Sequence, residues 1–220
     1  MSNKTLKLTD ELYRYLLGVS LREPEVLRRL REETRALPEA DCQISPEQGQ
    51  FMALLLRLIG ARQVLEVGTF TGYSSTVMAF ALPGDGRVTT CEHREKWVHV
   101  ARRYWREAGV ENRVELRLGE AGQTLDRLLD EGRAGSYDFA FIDADKENDA
   151  AYFEQCLVLV RTGGLVAVDN TLWGGHVINP ARTDPETAAI RAFNDALARD
   201  ERIDLSMVPI ADGLTLARKR

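Results

Sequence analysis

The chain has 220 residues, 44% of them hydrophobic and 29% charged, with a formal net charge of −5. This length and composition suit one soluble globular domain with a substantial core, and the acidic balance excludes non-specific nucleic-acid binding, which needs a basic face. Three scattered cysteines, Cys42, Cys91 and Cys156, exclude a disulfide framework and point to a reducing, cytoplasmic setting. No apolar run has the length of a leader or a membrane span, so no membrane partner is expected.

Residues 9–20 place Leu12, Leu16 and Val19 on one face of a short amphipathic helix. Pro24 suits a first helical position, and Leu27, Leu30 and Leu37 continue an apolar stripe. Ser45-Pro46-Glu47-Gln48 has the capping-box pattern with proline at N1. It opens a helix to Ile59 whose apolar face reads as Phe51, Leu54, Leu55 and Leu58. From residue 63 strands and helices alternate: strand 64–67, helix 73–82, strand 87–91, helix 95–108, strand 114–117, helix 121–129, strand 137–142, helix 147–160. A turn at Thr162-Gly163-Gly164 then leads to strand 165–169. The alternation predicts an α/β, doubly wound, mostly parallel sheet with helices on both faces. A long irregular segment, 171–185, follows a strand end and should hang over the ligand face. Helix 186–199 and a hairpin of strands 203–208 and 214–217 complete one domain, 1–220. Residues 1–44 form a helical extension and residues 45–220 the α/β core.

The segment Val64-Leu65-Glu66-Val67-Gly68-Thr69-Phe70-Thr71-Gly72-Tyr73-Ser74 reads as strand, glycine turn, helix. A dinucleotide fingerprint would put glycines at 68, 70 and 73, but Phe70 and Tyr73 stand at the last two positions. The turn suits an adenosine ligand without phosphates. Glu66, Glu92, Asp143, Asp169 and Asn170 lie at or just past strand ends, which in an open α/β sheet converge on one crevice. Glu92, one βα unit after the glycine turn, is placed to bind a ribose diol; the plainer reading is a helix-capping acid. Asp143, Asp169 and Asn170 are hard oxygen donors with no His or Cys beside them, a set that suits Mg²⁺ or another divalent cation such as Ca²⁺ or Mn²⁺. Taken separately, Asp143 or Asp145 reads as a helix N-cap and Asp169-Asn170 as a turn. Lys146, at a helix start beside a metal, should have its pKa pushed down toward that of a general base.

These residues closely resemble those of the cation-dependent class I O-methyltransferases, the caffeoyl-CoA and catechol O-methyltransferase family. The similarity runs through Ile44-Ser45-Pro46-Glu47-Gln48-Gly49-Gln50-Phe51, the glycine turn, Phe141-Ile142-Asp143-Ala144-Asp145-Lys146 and Asp169-Asn170-Thr171-Leu172-Trp173. The resemblance implies a seven-stranded, Rossmann-like sheet with an antiparallel strand inserted by the last hairpin, and S-adenosyl-L-methionine as methyl donor. It implies that Glu66, Gly68, Thr69 and Ser74 hold the methionine end, with the backbone at Ile44 on its carboxylate. Glu92 would take the ribose and Ala121 would lie beside the adenine. Asp143, Asp169 and Asn170 would hold the metal, Lys146 would act as base, and the chain would form a homodimer. Where relatives often carry an aromatic, this chain has Asp149.

The expected chemistry is methylation of one hydroxyl of a vicinal, catechol-like phenolic acceptor chelated by the cation, with Trp173 walling the ring or anchoring its loop. Three rival readings stay open: a nucleotide-dependent oxidoreductase, a non-catalytic protein that binds an adenosine ligand, and a metal-independent small-molecule methyltransferase.

Overall fold

The computed structural model describes residues 5–220. The first four residues, part of the N-terminal stretch read as having no leader, lie outside the described residues. Seven strands form one sheet: β1 (Gln63–Val67), β2 (Arg87–Glu92), β3 (Val114–Leu118), β4 (Tyr137–Ile142), β5 (Val160–Val168), β6 (Ile203–Val208) and β7 (Leu214–Lys219). Their order is β3-β2-β1-β4-β5-β7-β6. The first five run parallel, and β7 lies antiparallel to both β5 and β6. The order reverses between β1 and β4, the switch point where such sheets open a crevice.

Among the described residues, eight α-helices pack around the sheet: α1 (Asp10–Ser20), α2 (Glu25–Thr34), α3 (Pro46–Leu58), α4 (Tyr73–Ala81), α5 (Glu95–Glu107), α6 (Ala121–Asp130), α7 (Asp149–Leu159) and α8 (Pro185–Leu197). Alternation along the strands splits the core in two. Val64, Phe139 and Phe141 face α2 to α5, while Leu65, Ala140 and Ile142 face α6 to α8. Among the described residues no helix is long and apolar enough to cross a membrane.

Apolar spacing misplaces the buried face of α3. Leu54 and Leu58 are exposed, Phe51 and Leu55 are half-buried, and the face turned inward is Gln48, Gly49, Met52, Ala53 and Leu56. The reason is close approach to α4. A Cβ on Gly49 would already stand 3.3 Å from the Tyr73 ring and from Val77, so small residues mark the contact. Val19, expected on the packed face of α1, is exposed as well.

Thr162-Gly163-Gly164 is not a turn before a strand but an irregular stretch inside β5, where the register against β4 shifts. Gly163 takes φ 76°, and a Cβ on Gly164 would lie 2.8 Å from the Asp138 carbonyl oxygen. Lys146 precedes α7 in a 3-10 turn, Lys146–Asn148, and another 3-10 segment, Trp173–Ile178, orders part of the long loop.

The N-terminal helices are fastened to the glycine turn. Arg31 grips Glu23 through two nitrogens at 3.0 and 2.7 Å, and the Tyr73 hydroxyl donates to the same Glu23 at 2.7 Å. The buried hydroxyls of Thr34 and Thr71 meet at 3.0 Å. On the other side, Tyr13 donates to Glu47 at 2.8 Å.

Candidate active site

The crevice is built where β1 meets β4. Gly68 ends β1 at φ 103°, a value L side chains avoid, and its N–H donates to the Cys91 carbonyl at 3.1 Å. Gly72, at φ 84°, caps α4, with Ala101 and the Trp105 indole filling the space a side chain would need. This turn brings backbone close to whatever occupies the crevice.

Glu66 is fully buried at the base of that turn. Thr90 donates to its Oε2 at 2.5 Å, and Thr69 meets the Thr90 hydroxyl at 2.5 Å and donates to the Cys91 carbonyl at 3.1 Å. The other oxygen, Oε1, has no partner. Burial pushes the Glu66 carboxyl up to about 8, against the lowering pull of Ser74 and Thr90. A buried acceptor held this way is suited to a ligand that brings a positive charge or a donor. Ser74, in the first turn of α4, is buried beside it.

Glu92 serves the turn directly. Its Oε2 accepts from the Phe70 N–H at 2.8 Å and its Oε1 from the Arg94 N–H at 2.7 Å. Each carboxylate oxygen keeps a second acceptor site for a diol, so the bracing of the turn and the expected ribose contact are compatible. Phe70 and Trp97 stand edge to face beside this carboxylate, 5.1 Å between centroids. Ala121 opens α6, half-exposed, one β-strand further along the same rim. Ile44 lies buried in the core next to α3, which leaves its backbone as the group available to a ligand.

The second half of the crevice is acidic. Residues Ile142 and Val168 are register partners on β4 and β5, and the Asp169 N–H donates to the Ile142 carbonyl at 3.0 Å, so Asp143 and Asp169 leave adjacent strand tips. Asn170 follows at φ 60°, a left-handed conformation that Asn tolerates better than most residues, and its N–H donates to Asp169 Oδ1 at 2.8 Å. Lys146 is buried, with Nζ 3.5 Å from Asp143 Oδ1. Burial draws its pKa down, but Asp143, Asp149 and Asp169 together outweigh that and hold the ammonium above its ordinary value. The expectation of a depressed lysine pKa is therefore reversed for the protein alone. Three carboxylates, two of them on strand tips and one on α7, surround a single ammonium.

The carboxylates register the imbalance. Burial and the neighbouring Asp143 charge push Asp169 up to about 7, and Asp149 also rises to about 7, chiefly through burial. Asp143 is raised by its burial. Among the described residues no three His, Cys, Asp or Glu side chains form a metal cluster by themselves. With Asn170 as third donor, the set Asp143, Asp169, Asn170 is all oxygen, and the excess negative charge around it fits a hard divalent cation.

Trp173 sits at φ 47° and is half-buried, its N–H bonded to the Asn170 carbonyl at 3.1 Å. The loop is tied down by the last hairpin: Thr171 and Leu172 N–H groups donate to the Gly213 and Asp212 carbonyls at 3.1 and 2.9 Å.

Three participants escape sequence reading. Thr90 couples Glu66 to the turn; the polar pair Thr89-Thr90 inside a buried strand is its only trace. Gln48, fully buried on α3, neighbours Asp169 and lowers its pKa, yet neither amide atom finds a partner of good geometry. Asp149, named above only as a departure from relatives, is 1% exposed with Oδ1 unpartnered and acts on the lysine charge.

Comparison with known proteins gives the family. The O-methyltransferase family model matches residues 18–220, so the chain belongs to the O-methyltransferase family. It is 46% identical to the mouse catechol O-methyltransferase domain-containing protein 1, over 96% of this chain and 80% of that one. It is 39% identical to the caffeoyl-CoA O-methyltransferase of Eucalyptus gunnii, over 100% and 91%. The O-methyltransferase TomG of Streptomyces achromogenes, solved in complex with SAM, superposes with a TM-score of 0.85 at 35% identity, over 95% of this chain and 96% of that one.

Proposed function

We propose that this S-adenosylmethionine-dependent O-methyltransferase binds a divalent cation at Asp143, Asp169 and Asn170 and methylates one hydroxyl of a vicinal, catechol-like phenol. The observation that carries this reading is the buried charge imbalance at the strand tips. Among the described residues, Lys146 is the one cation that Asp143, Asp149 and Asp169 face, an arrangement stable with a further cation in place and strained without one. A bound cation would chelate the two acceptor oxygens and acidify the one to be methylated.

The chain's own groups then have distinct tasks. Glu66, Gly68, Thr69, Ser74 and the Ile44 backbone hold the methionine end of the donor, Glu92 its ribose and Ala121 the adenine flank. Lys146 Nζ takes the acceptor proton. With Asp143 and Asp169 engaged elsewhere, Asp149 is its remaining counter-charge, so Nζ can first release its own proton to solvent and then take the acceptor's as a neutral amine. Positioning supplies most of the acceleration, since a methyl group in transit offers no handle for hydrogen bonds. Trp173, at the crevice mouth beside Asn170, walls the acceptor ring.

The test is a panel of vicinal diphenols incubated with S-adenosylmethionine and Mg²⁺ and read by mass. Monomethylated product that disappears in chelator and returns with added Mg²⁺ is expected. Undiminished product in chelator would favour the metal-independent reading. We also read the exposed Val19, Leu54 and Leu58 as part of a homodimer contact, which sedimentation velocity would test through loss of the dimer in a Leu54→Glu/Leu58→Glu variant.

A further inference from the structure

The far end of the sheet holds a second cavity unrelated to the crevice. It has a volume of about 350 Å³ and lies against the N-terminal ends of β1, β2 and β3, with Gln63, Arg87, Thr89, Arg113, Glu115 and Arg133 on its lining. Strand register explains the grouping. Gln63 pairs with Arg87, Thr89 with Glu115, and Arg113 directly precedes the Val114 that pairs with Val88. Alternation therefore turns these side chains toward one face. α6 covers that face only as far as Asp130, and Arg133 reaches back from the following loop with its guanidinium 5.3 Å from the Tyr137 ring centroid.

What makes the cavity unusual in an acidic protein is charge without compensation. Among the described residues, the three arginines have no carboxylate partner. Their hydrogen bonds go to neutral acceptors: Arg87 to the Gly86 carbonyl at 3.0 Å, Arg113 to the Pro83 carbonyl at 3.4 Å, Arg133 to the Ser136 hydroxyl at 3.3 Å. The one acid on the lining, Glu115, is bonded at 2.7 Å to Arg117, which lies outside it. Most other arginines of this chain sit in ion pairs, Arg31 with Glu23 and Arg161 with Asp138 among them. Three guanidinium forks around one concave space, with Thr89 and Gln63 as further polar groups, match an anion that offers several oxygens and at least two negative charges.

We propose that this cavity binds a small phosphoryl anion, a phosphate monoester or pyrophosphate group, at a site separate from methyl transfer. A monocarboxylate would leave the cationic excess unmatched, and a half-open hollow of about 350 Å³ suits a small molecule.

The experiment is isothermal titration of inorganic pyrophosphate into the full chain, free of divalent cations and at constant ionic strength, with sodium acetate as the monoanion arm. Saturable one-to-one binding of pyrophosphate and none of acetate is expected. The Arg87→Gln/Arg113→Gln variant should bind pyrophosphate weaker by on the order of tenfold or more, with S-adenosylmethionine affinity unchanged as evidence of an intact fold. Glu115→Gln, which removes the only like charge, should bind it severalfold tighter. Absence of saturable binding, or affinity unaltered in the arginine variant, would overturn the proposal. Should that variant lose S-adenosylmethionine binding too, Glu115→Gln decides alone, and failure to tighten would overturn it.

Discussion

A Cβ on Gly68 would stand 1.9 Å from the backbone carbonyl oxygen of Asp143. The turn after β1 and the acidic tip of β4 are therefore in direct backbone contact, and the two halves of the crevice share one boundary. Gly68→Ala must either push the Asp143 loop away or abandon φ 103°. A loss of stability of about 1–3 kcal/mol is expected, together with a fall in both donor affinity and turnover. Thermal melting and donor titration check this; a variant unchanged in both would mean the contact is dispensable.

Among the described residues, Lys146 is the one buried cation, set among three carboxylates. Lys146→Met should lower kcat by about 10²-fold or more, the scale of a lost general base, while the affinity for S-adenosylmethionine holds. Steady-state kinetics with a vicinal diphenol separate the two quantities. An equal loss in both would reassign the lysine to donor binding, and unaltered kcat would remove it from the chemistry.

The pH dependence follows from carboxyls held above their ordinary range. Glu66 at about 8 and Asp149 at about 7 keep protons in the folded chain that the unfolded chain releases near pH 4. The folded state thus binds more protons between about pH 4 and 8, and stability falls as pH rises through that window. Asp149→Asn removes one ionisable group. Its stability relative to the parent should be unchanged near pH 4 and higher by on the order of 2 kcal/mol near pH 8. Denaturant melts at both pH values provide the comparison; a parent chain that gains stability steadily from pH 4 to 8 would contradict the burial of these groups.

Proton and cation compete for the same oxygens. Because Asp143 and Asp169 are both raised, added Mg²⁺ should lift the melting temperature more at pH 8 than at pH 5. Asp169→Ala should abolish the shift at either pH. A shift of the same size in that variant would place the ion elsewhere.

The strand-tip residues could be read from the sequence because each follows an apolar run by one position, and the parallel order brings such positions together whatever the side chains between them. Gly68 was legible for a related reason: a glycine between strand and helix signals backbone approach. Gln48 and Asp149 were not legible. Both lie on helices whose apparent periodicity is set by large apolar residues, and α3 buries small and polar ones instead because it presses close to α4. Lys146 shows another limit. Its own helix turn predicts a lowered pKa, whereas Asp143 and Asp149, three residues to either side, and Asp169 from the neighbouring strand tip set the opposite sign. The arginine cavity likewise depends on the register of three strands, and no local motif encodes it.

The proposed chemistry needs one ion between two neighbouring strand ends. Crystals soaked in Mn²⁺ and measured at a wavelength where manganese scatters anomalously address it directly. A single strong anomalous peak at coordination distance, about 2 Å, from oxygens of Asp143, Asp169 and Asn170 is expected. An active enzyme whose crystals give no peak there would contradict it.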